Sequence, residues 1–160
     1  MLKRLAKEAG ILLSIHKINI SVCESCTGGM LGSIITSIPG SSEYFKGGVI
    51  AYSNEIKNKI VGVRASTLKK FGAVSKETAR EMAKGVRKIT DSDIGIAITG
   101  IAGPGGGTKD KPVGLVYIAI AGEESTKIEK CLFSGNRENI RIKACCHALN
   151  TLIKTLRGVK

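Results

Sequence analysis

The chain has 160 residues, with 25 lysines and arginines against 13 aspartates and glutamates, a formal charge of +12. Hydrophobic residues make up 42% and charged residues 24%, which excludes a disordered or fibrous chain and fits a single globular domain over 1–160. The longest uncharged stretch, Ser25 to Ser42, is rich in Ser, Thr and Gly and contains Pro39, so no membrane-spanning helix is expected.

Leu2, Leu5, Ala6, Ala9, Leu12 and Leu13 form a helical stripe that predicts a helix over Leu2 to His16. Ile18, Ile20 and Val22 alternate as a strand. Ser25-Cys26-Thr27-Gly28-Gly29 then turns into a helix that its hydroxyls would cap and that ends near Ile38, before Pro39-Gly40. Gly47 to Ser53 reads as a second strand, followed by a helix from Glu55 to Val61 capped by Asn54 and a short helix from Ser66 to Phe71. Ser75 caps a longer helix through Ile89, and Ile94 to Ile98 is an apolar run of the kind buried on both faces. Val113–Ala121 and Thr126–Phe133 make a hairpin, and Arg137 to Leu156 a last amphipathic helix. The pattern predicts one three-layer α/β/α domain with a mixed, mainly parallel five-stranded sheet.

The positive charge favours anionic partners. Three Phe, three Tyr and no Trp leave no cluster of stacking aromatics, so nucleic acid is not the expected ligand. Met1-Leu2-Lys3-Arg4 resembles the basic head of a signal peptide, but Lys7 and Glu8 interrupt the apolar segment that should follow, and a cytoplasmic protein with reduced thiols is expected. Cys23 and Cys26 have Cys-x-x-Cys spacing without the aromatic or proline context of a redox site. His16 and His147 stand too far from other ligand types in sequence to suggest a metal cluster, and Cys145 and Cys146 read as core. No metal and no cofactor are expected.

The loop Thr99 to Thr108 follows the buried strand and is dense in glycine, a place where exposed backbone N–H groups can cradle an anion or an oxyanion. It lacks both the Walker pattern and Gly-x-Gly-x-x-Gly. Ser66-Thr67-Leu68-Lys69 matches Ser-x-x-Lys without the partners of that enzyme class, so Ser66 reads as a helix cap. In the turn Pro39-Gly40-Ser41-Ser42 a hydroxyl could be exposed, and the strand that follows leads to Tyr52, Asn54 and Lys57. A lysine held there against apolar walls can lose its proton and act as a base. Arg137 and Arg141, four apart near a helix N-terminus, form a candidate phosphate clamp.

The motifs Glu24-Ser25-Cys26-Thr27-Gly28-Gly29, Tyr52-Ser53-Asn54-Glu55-Ile56-Lys57, Gly72-Ala73-Val74-Ser75, Thr99-Gly100-Ile101-Ala102-Gly103-Pro104, Gly106-Gly107-Thr108, Lys111-Pro112-Val113-Gly114 and Gly135-Asn136-Arg137 occur in this order. Together they closely resemble the CinA C-terminal domain family, the stand-alone nicotinamide-nucleotide amidohydrolases. The resemblance implies hydrolysis of nicotinamide mononucleotide to nicotinic acid mononucleotide and ammonia without metal or organic cofactor, and a homodimer. It also implies a serine nucleophile and a lysine base, carried over onto Ser42 and Lys57, with Tyr52 and Thr99 assisting. Thr27, Gly28, Gly100, Gly103, Gly106, Arg137 and Arg141 are the expected substrate-binding positions. Cys23, Gly105 and Asn136 depart from the family's usual residues, and the large N-terminal domain of many members, associated with nucleotide pyrophosphatase activity, is not expected here. Two other readings compete: an amidase with Cys26 as nucleophile, and a non-catalytic nucleotide- or DNA-associated module.

Overall fold

The computed structural model describes residues 1–159. Helix α1 covers Leu2–His16 and leads through left-handed Lys17 into strand β1, Ile20–Glu24, whose residues are all buried. Helix α2 is shorter than its apolar pattern predicts, Met30–Thr36, and begins from a left-handed Gly29 with no hydroxyl cap. A 3₁₀ turn, Ser41–Glu43, precedes β2, Phe45–Ile50.

Helix α3 is Asn54–Lys59, α4 is Ala65–Phe71 and α5 is Lys76–Thr90. The cap of α3 is Ser53, which accepts from the Ile56 N–H, and not Asn54, which is the first helical residue. Ser66 likewise lies inside α4, whose start has no side-chain cap. Ser75 and Asn136 cap α5 and the final helix as their positions predict, accepting from Thr78 N and Asn139 N. The remaining elements are β3, Ile94–Gly100, β4, Leu115–Ala121, β5, Thr126–Leu132, and α6, Arg137–Arg157.

The five strands form one sheet in the order β2-β1-β3-β4-β5. β1 is parallel to both β2 and β3, whereas β3–β4 and β4–β5 are antiparallel, so only β4 opposes the common strand direction. One face carries α1, α2 and α6, where Leu13, Leu31, Ile96, Ile118, Leu149 and Leu152 interlock. The other carries α5, with Met82, Ala83 and Val86 packed on Cys23, Ala97 and Ala119. Small residues on that side let the helix approach closely: a Cβ on Gly95 would stand 2.1 Å from Ala83 O. The C-terminal ends of the three parallel strands open onto a common rim, the usual location of a ligand site in such sheets.

Candidate active site

Glu24 and Ile50, the last residues of β1 and β2, share a register with Ile98 near the end of β3. The residues just beyond them are Ser25, Ala51 with Tyr52, and Thr99, which the sheet therefore brings to one level. Ser25 is held by its N–H, which donates to Ile98 O at 2.9 Å. Helix α3 then turns back over the rim and drives Lys57 into the protein, where it is 1% exposed and one of the largest fully buried side chains.

Lys57 Nζ lies 3.0 Å from Ser25 Oγ, 2.7 Å from Ala51 O and 3.4 Å from Tyr52 O. No carboxylate is among these partners. Burial lowers the Lys57 pKa below the ordinary lysine value, because removing water penalises the ammonium form. Lys57 Nζ donates to the Ser25 hydroxyl and to both carbonyls; in the neutral amine that burial favours, two N–H groups keep the carbonyls and the lone pair is free to accept the Ser25 proton instead.

The pair opens into a cleft of about 270 Å³ walled by Tyr52, Val74, Thr99 and the loop from Gly100 to Gly105, with Arg137 at the mouth. Arg137 donates to Gly103 O and to the Tyr52 hydroxyl, both at 2.8 Å, tying the glycine loop to the segment after β2. Gly103 is at φ +75, and a Cβ there would meet Val113 Cγ1 at 2.6 Å, so only glycine fits this wall. Thr99 is fully buried and its hydroxyl donates to Ala73 O at 2.8 Å. A larger cleft of about 460 Å³ lies between α4 and α5, lined by Arg64, Thr67, Arg80, Glu81 and Lys84; its Thr67 hydroxyl donates to Glu81 at 2.8 Å, a carboxylate already held by the Arg64 guanidinium, whose positive charge makes it a poor base.

Lys57, Tyr52, Thr99, Gly100, Gly103 and Arg137 thus come together as expected positions of one cleft. Ser42 does not join them. It is exposed in the 3₁₀ turn before β2, whereas Lys57 follows that strand, so the six residues of β2, about 20 Å of chain, place the two at opposite ends of the sheet. The hydroxyl beside Lys57 belongs to Ser25, which the turn sequence suggested only as a capping group. The helix-capping task falls instead to Glu24, 1% exposed, which accepts from the N–H groups of Gly29, Leu31 and Gly32 at 2.8–3.0 Å.

Arg141 also departs from expectation. It does not line the cleft, and its Nη2 donates to Thr27 O at 2.7 Å, bracing the turn from behind. Thr27 is buried with its hydroxyl unpartnered; Gly28 and Gly106 are exposed outside the cleft. Cys26 lines the cleft, but burial pushes its thiol up to about 11 and that of Cys23 to about 12, the reverse of an activated nucleophile. No described helix is long and apolar enough to cross a membrane.

A family model described as "CinA C-terminal domain" matches residues 2–156. A "CinA-like protein" of Endomicrobium trichonymphae is 55% identical over 152 residues, 95% of this chain and 36% of the relative. A second, from Thermotoga sp. (strain RQ2), is 50% identical over 147 residues, 92% of this chain and again 36% of the relative. The chain therefore spans about a third of the length of these curated relatives. Among solved structures, a CinA superfamily protein from Klebsiella pneumoniae superposes with a TM-score of 0.96 at 30% identity, covering 99% of both chains. A competence/damage inducible protein from Agrobacterium tumefaciens gives 0.94 at 36% identity, over 98% of this chain and 95% of that one.

Proposed function

The chain belongs to the CinA C-terminal domain family, and on that footing we propose that it is an amidohydrolase that uses Ser25 as nucleophile and Lys57 as general base to convert nicotinamide mononucleotide to nicotinic acid mononucleotide and ammonia. The observation that carries the reading is the 3.0 Å contact between Ser25 Oγ and a fully buried lysine without an acidic partner. Substrate identity comes from the family resemblance of the motifs, and a small polar cleft with an arginine at its mouth agrees with it.

In the first half-reaction neutral Lys57 takes the Ser25 hydroxyl proton as Oγ attacks the carboxamide carbon. The C=O electrons move to oxygen, and the oxyanion needs donors already in position. The backbone N–H groups of Cys26 and Thr27 suit this role: they adjoin the nucleophile and have no backbone acceptor. Lys57 then passes its proton to the departing nitrogen, ammonia leaves, and the nucleotide remains as an ester on Ser25. Water, deprotonated by Lys57, attacks that ester, and the proton returns to Ser25 Oγ. Arg137, with guanidinium N–H groups beyond the two it gives to Gly103 and Tyr52, is the phosphate contact, while Arg141 serves the turn.

The test is ammonia release from nicotinamide mononucleotide in the presence of EDTA by wild type, Ser25→Ala, Lys57→Met, Ser42→Ala and Cys26→Ala. Activity lost in the first two variants and retained in the last two supports the reading. Activity surviving in Ser25→Ala, or absent from wild type that still binds the nucleotide, overturns it.

A further inference from the structure

Outside this cleft, the edge of the sheet gathers three donor atoms of different chemistry. β5 is the terminal strand, paired only with β4, and its alternate residues Lys127, Glu129 and Cys131 face α6. His147 reaches them from that helix. A Glu129 carboxylate oxygen, the Cys131 sulfur and a His147 ring nitrogen all lie within 4.8 Å of one another. We propose that Glu129, Cys131 and His147 form a binding site for a zinc-class divalent cation.

The chemistry of the set favours this over a simple ion pair. A thiolate with an imidazole selects borderline to soft divalent ions and disfavours magnesium and calcium, which want oxygen alone. In a tetrahedral zinc site with ligand bonds of 2.0–2.3 Å, donors stand roughly 3.4–3.6 Å apart. From the present upper limit of 4.8 Å the widest separation must close by about 1 Å, while Glu129 Oε2 and His147 Nε2, now in direct contact, must part to admit the ion, so metal takes the place of their hydrogen bond.

The carboxylate is already divided between two tasks. Oε1 takes Lys127 Nζ at 3.1 Å, leaving Oε2 to face His147 Nε2, with which it makes a close contact. The Phe133 ring meets the imidazole edge-on, centroids 5.9 Å apart, and limits its rotation. Cys131 is buried, whereas the Glu129 and His147 side chains are 26% and 38% exposed, so an ion can enter from the sheet edge and keep a water as fourth ligand. As the sulfur–metal bond forms, the Cys131 thiol proton leaves to buffer. Thiolate and carboxylate then balance the two charges of the ion. Sequence spacing hides the group because β5 and α6 bring its members together only after folding.

The site is tested on metal-stripped full-length protein, with Co²⁺ as spectroscopic probe and Zn²⁺ in competition and thermal-shift experiments, in a non-thiol reductant. The expected result is one equivalent of Co²⁺ with a thiolate-to-cobalt charge-transfer band, displaced by Zn²⁺, and a Zn²⁺-dependent rise in Tm. Cys131→Ser removes the band, and His147→Gln, at a half-exposed position, weakens binding at least tenfold. Cys146→Ser, the neighbouring thiol on α6 that is not in the group, leaves both unchanged. Absence of saturable binding at micromolar metal, or a band that survives in folded Cys131→Ser, overturns the proposal. Because nothing in this assay requires nicotinamide mononucleotide, its outcome is independent of the amidase reading.

Discussion

Lys57 Nζ sits 3.0 Å from Ser25 Oγ across a sequence separation of 32 residues, and the lysine is buried without a carboxylate to keep it charged. Its depressed pKa sets the sign of two pH effects.

The first is catalytic. Only the neutral amine accepts the serine proton, so kcat should rise with pH through a midpoint below the ordinary lysine value of 10.5. Lys57→Arg, which stays charged throughout, should be inactive across the whole profile. A rate that falls over the same range would remove Lys57 from the role of base.

The second concerns stability. Between the lowered Lys57 pKa in the folded protein and 10.5, the unfolded chain holds the extra proton. Stability therefore increases with pH in that window. Urea denaturation at a series of pH values should show this slope in wild type and a flatter one in Lys57→Met. Equal slopes would mean that the folded-state amine titrates normally.

Arg137 bridges Gly103 O and the Tyr52 hydroxyl and still has donors for an anion. Arg137→Ala should raise KM for the nucleotide by about 10- to 100-fold, the effect of losing about 1.4–2.7 kcal/mol, with a smaller change in kcat. Arg141→Ala should instead lower thermal stability, since its bond to Thr27 O braces the turn. Steady-state kinetics beside a melting curve separates the two arginines.

Glu24 satisfies three backbone N–H groups at the start of α2. Glu24→Ala leaves these donors without a partner, and an unsatisfied buried group costs about 1–3 kcal/mol. A loss of about 3 kcal/mol or more is expected in chemical denaturation. A change within 0.5 kcal/mol, roughly the level of an ordinary surface substitution, would show that water replaces the carboxylate.

At Gly85 an added Cβ would fall 1.8 Å from Val61 O, a backbone atom that cannot step aside. Val63 N donates to Lys57 O at 2.9 Å, so displacing this segment should also move the base. Gly85→Ala is expected to cost about 1–3 kcal/mol, the usual penalty of overpacking, and to reduce kcat at temperatures where the variant remains folded. Unchanged denaturation and kinetics would mean that α5 does not set the position of α3.

Much of this was legible in the sequence. The helices announced themselves through caps such as Ser75 and Asn136, and β3 through its run of isoleucine and alanine. The Lys57 environment could be inferred from the polar groups that follow an apolar strand. The ends of α2 and β2 were less clear, because Gly28, Gly29, Gly47 and Gly48 obscure the apolar period and the start of α2 is capped by a carboxylate five to eight residues earlier. Ser42, and not Ser25, was expected beside Lys57 because the Ser25 hydroxyl resembled a helix cap, whereas the turn before β2 looked exposed and reactive; the structure sets Ser25 there. Strand direction held the missing signal: in a parallel sheet, residues that follow strands share a rim, and Ser42 precedes one.

The pleat of β1 has a further consequence. Side chains alternate across a strand, so Cys23 and Ser25 share the face toward α3 and α5, while Val22 and Cys26 belong to the opposite core. Parity along β1 thus decides which functional group Lys57 meets. A one-residue insertion or deletion that slips β1 would offer the lysine Glu24 or Cys26 in place of the hydroxyl. A carboxylate in that position would bind the proton onto the amine and convert a base into half of an ion pair, so the backbone register acts as the selector of chemistry.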